Sequence, residues 1–212
     1  MQTYLVLKNE QPPLPAEMPG PDVRYPAILA EYFLREFTQE GDVVFDPFAG
    51  FGTTLQVAEA MGRIGYGTEI NPKRTDYARS QLRHPERLIL GDVRHLASLS
   101  LPPFNFSISS PPYMGKSDTE NPLTDYAEEG AGYAQYLRDL AAVYAEVGRR
   151  LAPGGHLVIE ASNLKGPNGV TTLAWDIARE VSEVLAFQGE VVIAWENGYG
   201  YGYDHSYCLV FK

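Results

Sequence analysis

From residue 42 onward the apolar positions alternate between two rhythms. Short apolar runs at DVVFDPF (42–48), IGYGTEI (64–70), RLILGD (87–92), FNFSIS (104–109), HLVIEA (156–161), EVVIAW (190–195) and SYCLVF (206–211) predict seven strands. Between them, TTLQVAEAM (53–61), PKRTDYARSQL (72–82), residues 132–151 and residues about 170–186 predict helices. In the third of these, Tyr133, Tyr136, Leu137, Leu140, Tyr144, Val147 and Leu151 share one stripe, and Pro153-Gly154-Gly155 is expected to stop it. Upstream, Ile28, Leu29, Tyr32, Phe33 and Phe37 recur with helical spacing and predict a helix from about Pro26 to Phe37. Residues 3–8, TYLVLK, read as a short edge strand, and the five prolines of residues 9–22 read as an extended arm.

Apolar strands alternating with helices specify an α/β fold, a mostly parallel sheet with helices on both faces. The last two strands have no helix between them, so the final one should return antiparallel. The pattern holds one domain, residues 24–212, preceded by an N-terminal arm, residues 1–23.

Composition narrows the function classes. With 212 residues and 44% hydrophobic content the chain is long and apolar enough to bury a core, which excludes a disordered chain. No apolar run reaches the length of a membrane span, and the N-terminus lacks the basic and apolar regions of a secretory signal. Cys208 is the only cysteine, so no internal disulfide forms, no Cys/His cluster suggests a metal, and a cytoplasmic location is expected. A net charge of −10 argues against a basic nucleic-acid coat protein. One stretch departs from this balance: Arg63 to Arg94 holds seven Arg or Lys against four acids, +3, leaving −13 for the rest. It is either a solvated helix face or a local contact for phosphates.

In a parallel sheet, ligands sit beyond the carboxyl ends of the strands. Three such ends carry chemistry. The first strand ends in Asp46-Pro47-Phe48-Ala49-Gly50-Phe51-Gly52-Thr53, where glycines allow close backbone approach. The third glycine of a dinucleotide fingerprint is missing, and Asp46 would repel a pyrophosphate but attract an ammonium. Glu69 ends the next strand, at the spacing of an acid that takes ribose hydroxyls. Asp92, in GDV, suits either an adenine amino group or a helix N-cap. The strand FNFSIS ends in Ser109-Ser110-Pro111-Pro112-Tyr113. Its prolines fix the backbone and leave carbonyls free to accept. A hydroxyl, a carbonyl and a tyrosine face together suit a flat ring that carries an amino group.

DPFAGFGTT, TEINP (68–72), GD (91–92) and SPPY (110–113) together resemble the amino-methyltransferases that use S-adenosylmethionine and act on exocyclic amino groups of nucleobases. RYPAILAEYFLREFTQEGD (24–42) and HSYCLVFK (205–212) are similar to the helix before that family's first strand and to its last strand, so the resemblance spans residues 24–212. It implies a Rossmann-like methyltransferase fold and S-adenosylmethionine as cofactor. It implies that Asp46 faces the methionyl ammonium, that Glu69 holds the ribose hydroxyls and that Asp92 meets the adenine edge. Pro47, Phe48, Ala49, Gly50, Gly52, Thr53 and Ile70 would line the rest of the cofactor. Ser110 and the Pro111 carbonyl would orient the target amine, with Pro112 stiffening the turn and Tyr113 stacking on the base. SPPY more often marks cytosine-N4 enzymes and DPPY adenine-N6 enzymes, so DNA cytosine is the expected substrate.

Two departures bear on the partner. Only a short segment separates Asp92 from Ser110, and the next loop, residues 115–132, carries five acids and one lysine. That leaves open an RNA substrate, a dimer, or a cofactor-binding subunit that completes a partner enzyme. Tyr199, Tyr201 and Tyr203 alternate with glycines between the last two strands, either as a plain hairpin tip or as stacking faces for flanking bases. His156 and His205 are expected to be structural, because amine methylation needs no titrating base.

Overall fold

The computed structural model describes residues 2–16, 18, 24–167 and 169–212. Part of the predicted arm, and its boundary at residue 23, lie outside them. The strands are β1 (Tyr4–Leu7), β2 (Val43–Asp46), β3 (Ile64–Glu69), β4 (Leu88–Leu90), β5 (Phe104–Ser109), β6 (Leu151–Ala161), β7 (Leu164–Gly166), β8 (Gly169–Thr171), β9 (Phe187–Trp195) and β10 (His205–Phe211). The helices are α1 (Ala27–Phe37), α2 (Thr53–Ala60), α3 (Pro72–Ser80), α4 (Tyr133–Arg149) and α5 (Leu173–Ser182).

The main sheet has eight strands in the order β1, β9, β10, β6, β5, β2, β3, β4. The expectation was seven. The difference is β1, which adds in parallel to β9 and buries Leu5 against the core. The first residues of the expected arm are therefore part of the sheet. The last strand, β10, lies antiparallel between β6 and β9, as the missing helix between β9 and β10 requires.

Period-two alternation divides the core between the two faces. On β6, Leu157 and Ile159 face the cluster under α4 and α5, whereas Val158 faces the cluster under α1 and α2. Leu209 and Phe211 alternate with Cys208 and Val210 in the same way on β10. The buried stripe of α4, Tyr136, Leu137, Leu140, Tyr144 and Val147, is the one its spacing predicted.

Two local expectations fail. Pro153-Gly154-Gly155 does not merely stop α4, because β6 already starts at Leu151. Leu151 pairs with Phe104 and His156 with Phe106, so Asn105 alone faces Ala152–Gly155. The proline and glycines are an irregularity inside the strand, where a missing N–H and small residues cost no ladder bond. The predicted helix of about 170–186 is shorter, because its start is taken up by the β7–β8 hairpin, in which Gly166 pairs with Gly169.

Gly67 fixes the distance between the sheet and the loop after β2. It pairs with Asp46 on one side and Leu88 on the other. A Cβ added there would meet Ala49 Cβ at 2.9 Å, Asp46 O at 3.0 Å and Leu55 Cδ1 at 3.0 Å. Gly67→Ala is therefore expected to destabilise by about 1–3 kcal/mol through overpacking. Gly91→Ala, where an added Cβ meets nothing within 4 Å, is the control. Denaturant unfolding should give a lower midpoint for the first variant only, and equal midpoints would contradict the close approach.

Candidate active site

The carboxyl ends of β2, β3 and β5 open on one cavity of about 460 Å³, within the usual range of small-molecule sites. Asp46, Pro47, Phe48, Ala49, Gly50 and Thr53 line it from the loop after β2, and Glu69 and Ile70 from the end of β3. Ser110, Pro111, Pro112 and Tyr113 line it from the end of β5. The sheet thus brings both predicted groups of residues to one space. Gly52 is not in the wall. It sits at the start of α2 with φ +84°, and a Cβ there would meet Ala78 Cβ at 3.1 Å, so its role is a left-handed turn against α3.

Asp46 is buried at the end of β2. Its Oδ1 accepts the Phe48 amide at 3.0 Å, and its Oδ2 accepts the Thr54 hydroxyl and, at 3.4 Å, the Tyr25 hydroxyl. Tyr25, from the segment just before α1, also bonds Thr54. Burial pushes the Asp46 carboxyl up to about 7, against the Thr54 hydroxyl and the Phe48 amide, which pull it down. A buried carboxylate with so few neutralising partners suits a cationic ligand.

Glu69 is held by two backbone amides: Gly50 N donates to Oε2 at 2.9 Å and Asn71 N to Oε1 at 2.8 Å. Each oxygen keeps a lone pair for a further donor. Burial raises its carboxyl, opposed by the Asn71 amide and the Arg74 charge. Arg74 lies 3.9 Å from Glu69 and 3.4 Å from Asp125, and Asn71 Nδ2 donates to Asp125 at 2.7 Å. The first turn of α3 therefore joins Glu69 to the acidic loop, which brings Asp118, Asp125 and Tyr126 to the cavity.

Asp92 departs from its expected role. Its neighbours Gly91 and Val93 line the cavity, but Asp92 does not. It caps the following 3-10 turn, accepting Arg94 N at 2.9 Å, and its two oxygens take the Arg94 guanidinium at 2.6 to 3.1 Å. Burial pushes its carboxyl up, but the Arg94 side-chain and backbone bonds and the Arg94 charge hold it below the usual range. The cap, one of the two expected roles, is the one its bonds make.

The tetrad rests on a residue that motif reasoning missed. Glu160, on β6, is fully buried. Tyr113 donates to its Oε2 at 3.0 Å and Tyr199 to its Oε1 at 2.8 Å. The Ser206 and Ser110 hydroxyls also act on its charge. Burial raises the Glu160 carboxyl, and the four hydroxyls oppose that rise. Its only sequence signal was an acid inside the apolar strand HLVIEA. The Tyr113 ring lies 5.1 Å from that of Tyr201, tilted by 51°. Tyr136 donates to the Pro112 carbonyl at 2.8 Å, which occupies that carbonyl within the fold. Tyr199 and Tyr201 line the cavity, while Tyr203 lies outside it, under Lys165 at 4.2 Å.

Four arginines of the 63–94 stretch are tied into the fold. Arg63 bonds Thr38 and Met61, Arg79 bonds the Leu88 carbonyl, and Arg74 and Arg94 are paired as above. His156 packs on Phe37, and His205 bonds Asp204 and Tyr207, both away from the tetrad's acceptors. Among the described residues no His/Cys/Asp/Glu group is arranged for a metal, and no helix is long and apolar enough to cross a membrane.

The fold is the Rossmann-like methyltransferase fold. An rRNA methylase of Streptococcus thermophilus superposes with a TM-score of 0.58 at 14% identity, covering 90% of this chain and 97% of that one. SMU.1697c of Streptococcus mutans, solved in complex with SAH, gives 0.57 at 14% identity, covering 90% and 99%. Residues 12–80 match the family model N6_N4_Mtase, DNA methylase. The orphan methyltransferase M.BamHII of Bacillus amyloliquefaciens is 42% identical over 60 residues, which are 28% of this chain and 23% of that protein. The match thus spans about a quarter of the length of that curated relative. The family model and the sequence relatives support the S-adenosylmethionine-dependent amino-methyltransferases of the N4/N6 DNA methylase family.

Asp46 gives the ligand-free protein a specific pH dependence. Its folded value of about 7 lies above its ordinary 3.8. Between the two, the folded state holds a proton that the unfolded state has lost. This contribution to stability is therefore complete below about pH 4 and is lost as pH rises through about 7. Tm measured from pH 5 to 8 should fall more steeply for the wild type than for Asp46→Asn. Parallel curves would contradict the buried, weakly compensated carboxyl.

Proposed function

We propose that this chain transfers a methyl group from S-adenosylmethionine to the exocyclic amino nitrogen of a nucleobase in DNA, cytosine N4 in preference to adenine N6. The observation that carries this reading is the placement of two different binding chemistries in one cavity. A buried carboxylate pair, Asp46 and Glu69, lies on one side, and the rigid acceptor segment Ser110–Tyr113 on the other. Residues 24–212 form the catalytic domain on this reading, and residues 1–23 an arm whose strand completes the sheet.

The residues fit the cofactor. Asp46 offers a carboxylate to the methionyl ammonium, and Glu69 keeps acceptor capacity for a ribose diol. Phe48, Ile70 and Val93 give apolar wall for a flat adenine. When bound, S-adenosylmethionine supplies a sulfonium methyl group open to attack by a nitrogen lone pair.

An aromatic exocyclic amine is a poor nucleophile because its lone pair is delocalised into the ring. Ser110 Oγ and the Pro111 carbonyl accept its two N–H bonds, which favours a pyramidal nitrogen and returns the lone pair to it. Pro111 and Pro112 hold those acceptors without conformational search. Tyr113, tethered to Glu160 through its hydroxyl, presents its ring to the base. Rate enhancement then comes from positioning and preorganised acceptors, and a base paired in a duplex must first be extruded.

The acidic 115–132 loop at the cavity and the internal use of Arg63, Arg74, Arg79 and Arg94 favour a substrate gripped through its base rather than its phosphates. A single strand, RNA included, is the second reading. Transfer of labelled methyl groups to DNA, to RNA or to neither separates the two readings from a cofactor-binding subunit without turnover. Transfer to DNA cytosine is expected. Transfer to RNA alone or to neither would sink the DNA reading.

Two substitutions test the division of labour. Asp46→Ala should weaken S-adenosylmethionine by about 1.5–3 kcal/mol, the cost of a lost charge-assisted bond, as read by calorimetry. Ser110→Ala should leave that affinity within about twofold and lower kcat more than it changes KM, because its bond tightens as the amine becomes pyramidal. Unchanged cofactor affinity in the first variant, or unchanged kcat in the second, contradicts the assignment.

A further inference from the structure

Among the described residues, three that are not glycine hold left-handed backbone: Asp125 at φ 54°, Tyr126 at 60° and Tyr201 at 55°. Glycine, asparagine and aspartate tolerate this conformation, whereas a bulky side chain is strained in it. Two of the three are tyrosines, and both line the cavity at the ends of β2, β3 and β5. Both also leave much of the ring in solvent, Tyr126 being 50% exposed and Tyr201 41%. The main-chain bonds that hold them are open to any residue. Tyr126 N donates to Asn121 O at 3.2 Å, and Tyr201 O accepts Lys165 N at 2.9 Å. Glycine would make the same bonds without strain, and Gly200 and Gly202 on either side of Tyr201 already take positive φ, 131° and 79°. The backbone therefore does not call for these two rings, and burial does not account for them. Strain of this kind gathers where a ligand is held.

Their surroundings suit a flat ligand. The Tyr201 ring lies 5.1 Å from that of Tyr113 and 6.1 Å from that of Tyr199. Tyr126 and Tyr113 together wall a second, more open cleft of about 320 Å³, completed by Ser117, Asp118, Thr119 and Glu120. Tyr113, the face assigned to the target base, thus has one half-exposed ring beside it in the cavity and another in an adjoining cleft. Among the described residues no Lys or Arg lines that cleft, and two carboxylates do, so a phosphate is disfavoured there. A nucleobase offers a π-face whatever its identity, and single strands are held by stacking bases on aromatic side chains. We propose that Tyr126 and Tyr201 are stacking faces for the nucleotides that flank the target base, so that the site takes a run of unpaired bases rather than one base alone. This rests on the nucleobase reading given above and adds to it how a chain of net charge −10 holds a strand: by base faces, with little preference for which bases flank the target. Tyr203, under Lys165 and outside the cavity, has no part in it.

The test is equilibrium binding of short DNA single strands, with S-adenosylhomocysteine present so that no transfer occurs. Every strand carries one central cytosine. Its two neighbours are either thymine or abasic, so the number of phosphates is constant. The wild type should bind the flanked strand about tenfold or more tightly than the abasic one. Tyr201→Gly and Tyr126→Gly should each weaken the flanked strand about fivefold or more and leave the abasic one within about twofold. The double variant should bind both strands equally, within about twofold. Tyr201→Phe and Tyr126→Phe, which keep the ring, should keep the wild-type ratio, and so should Tyr203→Leu. S-adenosylmethionine affinity should stay within about twofold of the wild type throughout.

Equal binding of the two strands by the wild type overturns the proposal, as does a glycine variant that keeps the wild-type ratio or a phenylalanine variant that loses it. A glycine variant that loses S-adenosylmethionine affinity places its ring on the cofactor and overturns it too. If a glycine variant does not fold, Tyr201→Asn or Tyr126→Asn, which also accepts left-handed backbone, is read in its place. A wild type that methylates cytosine but binds both strands equally rejects only the flanking faces. A wild type that binds neither strand and methylates no amine-bearing base rejects the nucleobase reading, and this proposal with it.

Discussion

Burying carboxylates at the carboxyl end of one sheet is the constraint around which the cavity is built. Asp46, Glu69 and Glu160 sit on β2, β3 and β6, and all three are buried. A buried charge without partners costs far more than the fold can supply, so each acid must be given donors. Asp46 takes the Phe48 amide and the Tyr25 and Thr54 hydroxyls, and Glu69 takes two loop amides. Glu160 takes hydroxyls from the tetrad and from the β9–β10 turn. These donors come from separate segments, so meeting the demand of three acids also ties together the loops after β2, β3 and β5 and the β9–β10 turn. Glu69 also has an arginine nearby, Arg74 at 3.9 Å. The acids are satisfied mainly by dipoles, which leaves negative potential for a cationic group to meet.

What the sequence disclosed follows from how local each signal is. The alternation of apolar strands and helices is written within windows of about ten residues, and the parallel sheet with a returning last strand follows from it. The loop after β2 and the tetrad after β5 are contiguous motifs, and the structure brings both to one cavity. Glu160 is different. Its partners Tyr113 and Tyr199 lie 47 and 39 residues away, so nothing near HLVIEA announces them. Asp92 suits ligand or cap by its sequence alone, and what the sequence does not announce is the bidentate grip of Arg94 two residues on. β1 was legible as a strand but not as a member of the main sheet, because its partner β9 is nearly the whole chain away.

Charge counting alone leaves the 63–94 stretch open between a solvated face and a phosphate contact, for a physical reason. Summing the 63–94 stretch treats its arginines as surface charge, whereas a guanidinium has five donors and readily caps carbonyls left over at element ends. Arg79 does this at Leu88, Arg63 at Thr38 and Met61, and Arg150 at Leu96, Ala97 and Leu99. The cations that reach the cavity are Arg24 and Arg74, each 5.8 Å from the Phe51 ring centroid. Arg24 in turn holds the Pro12 carbonyl at 2.7 Å, and Asn9 donates to Gly198 at 3.0 Å. The described part of the arm therefore links the turn that carries Tyr199 to Arg24 in the cavity wall.

The same logic explains why the acidic loop stays over the cavity despite its charge. Asp125 and Tyr126 both adopt left-handed backbone, with φ 54° and 60°, and neither is a glycine. Such residues cost of order 1–3 kcal/mol each unless their surroundings over-determine them. Here they are over-determined. Asp125 N and Tyr126 N bond the carbonyls of Pro122 and Asn121, while the Asp125 carboxylate is gripped by Asn71 and Arg74. Asn71 also caps α3 and donates its backbone amide to Glu69. One turn of helix thus clamps together a strained loop and the acid that ends β3. A shift of either would be felt by the other through Asn71 and Arg74, so the two halves of the cavity share one rigid wall.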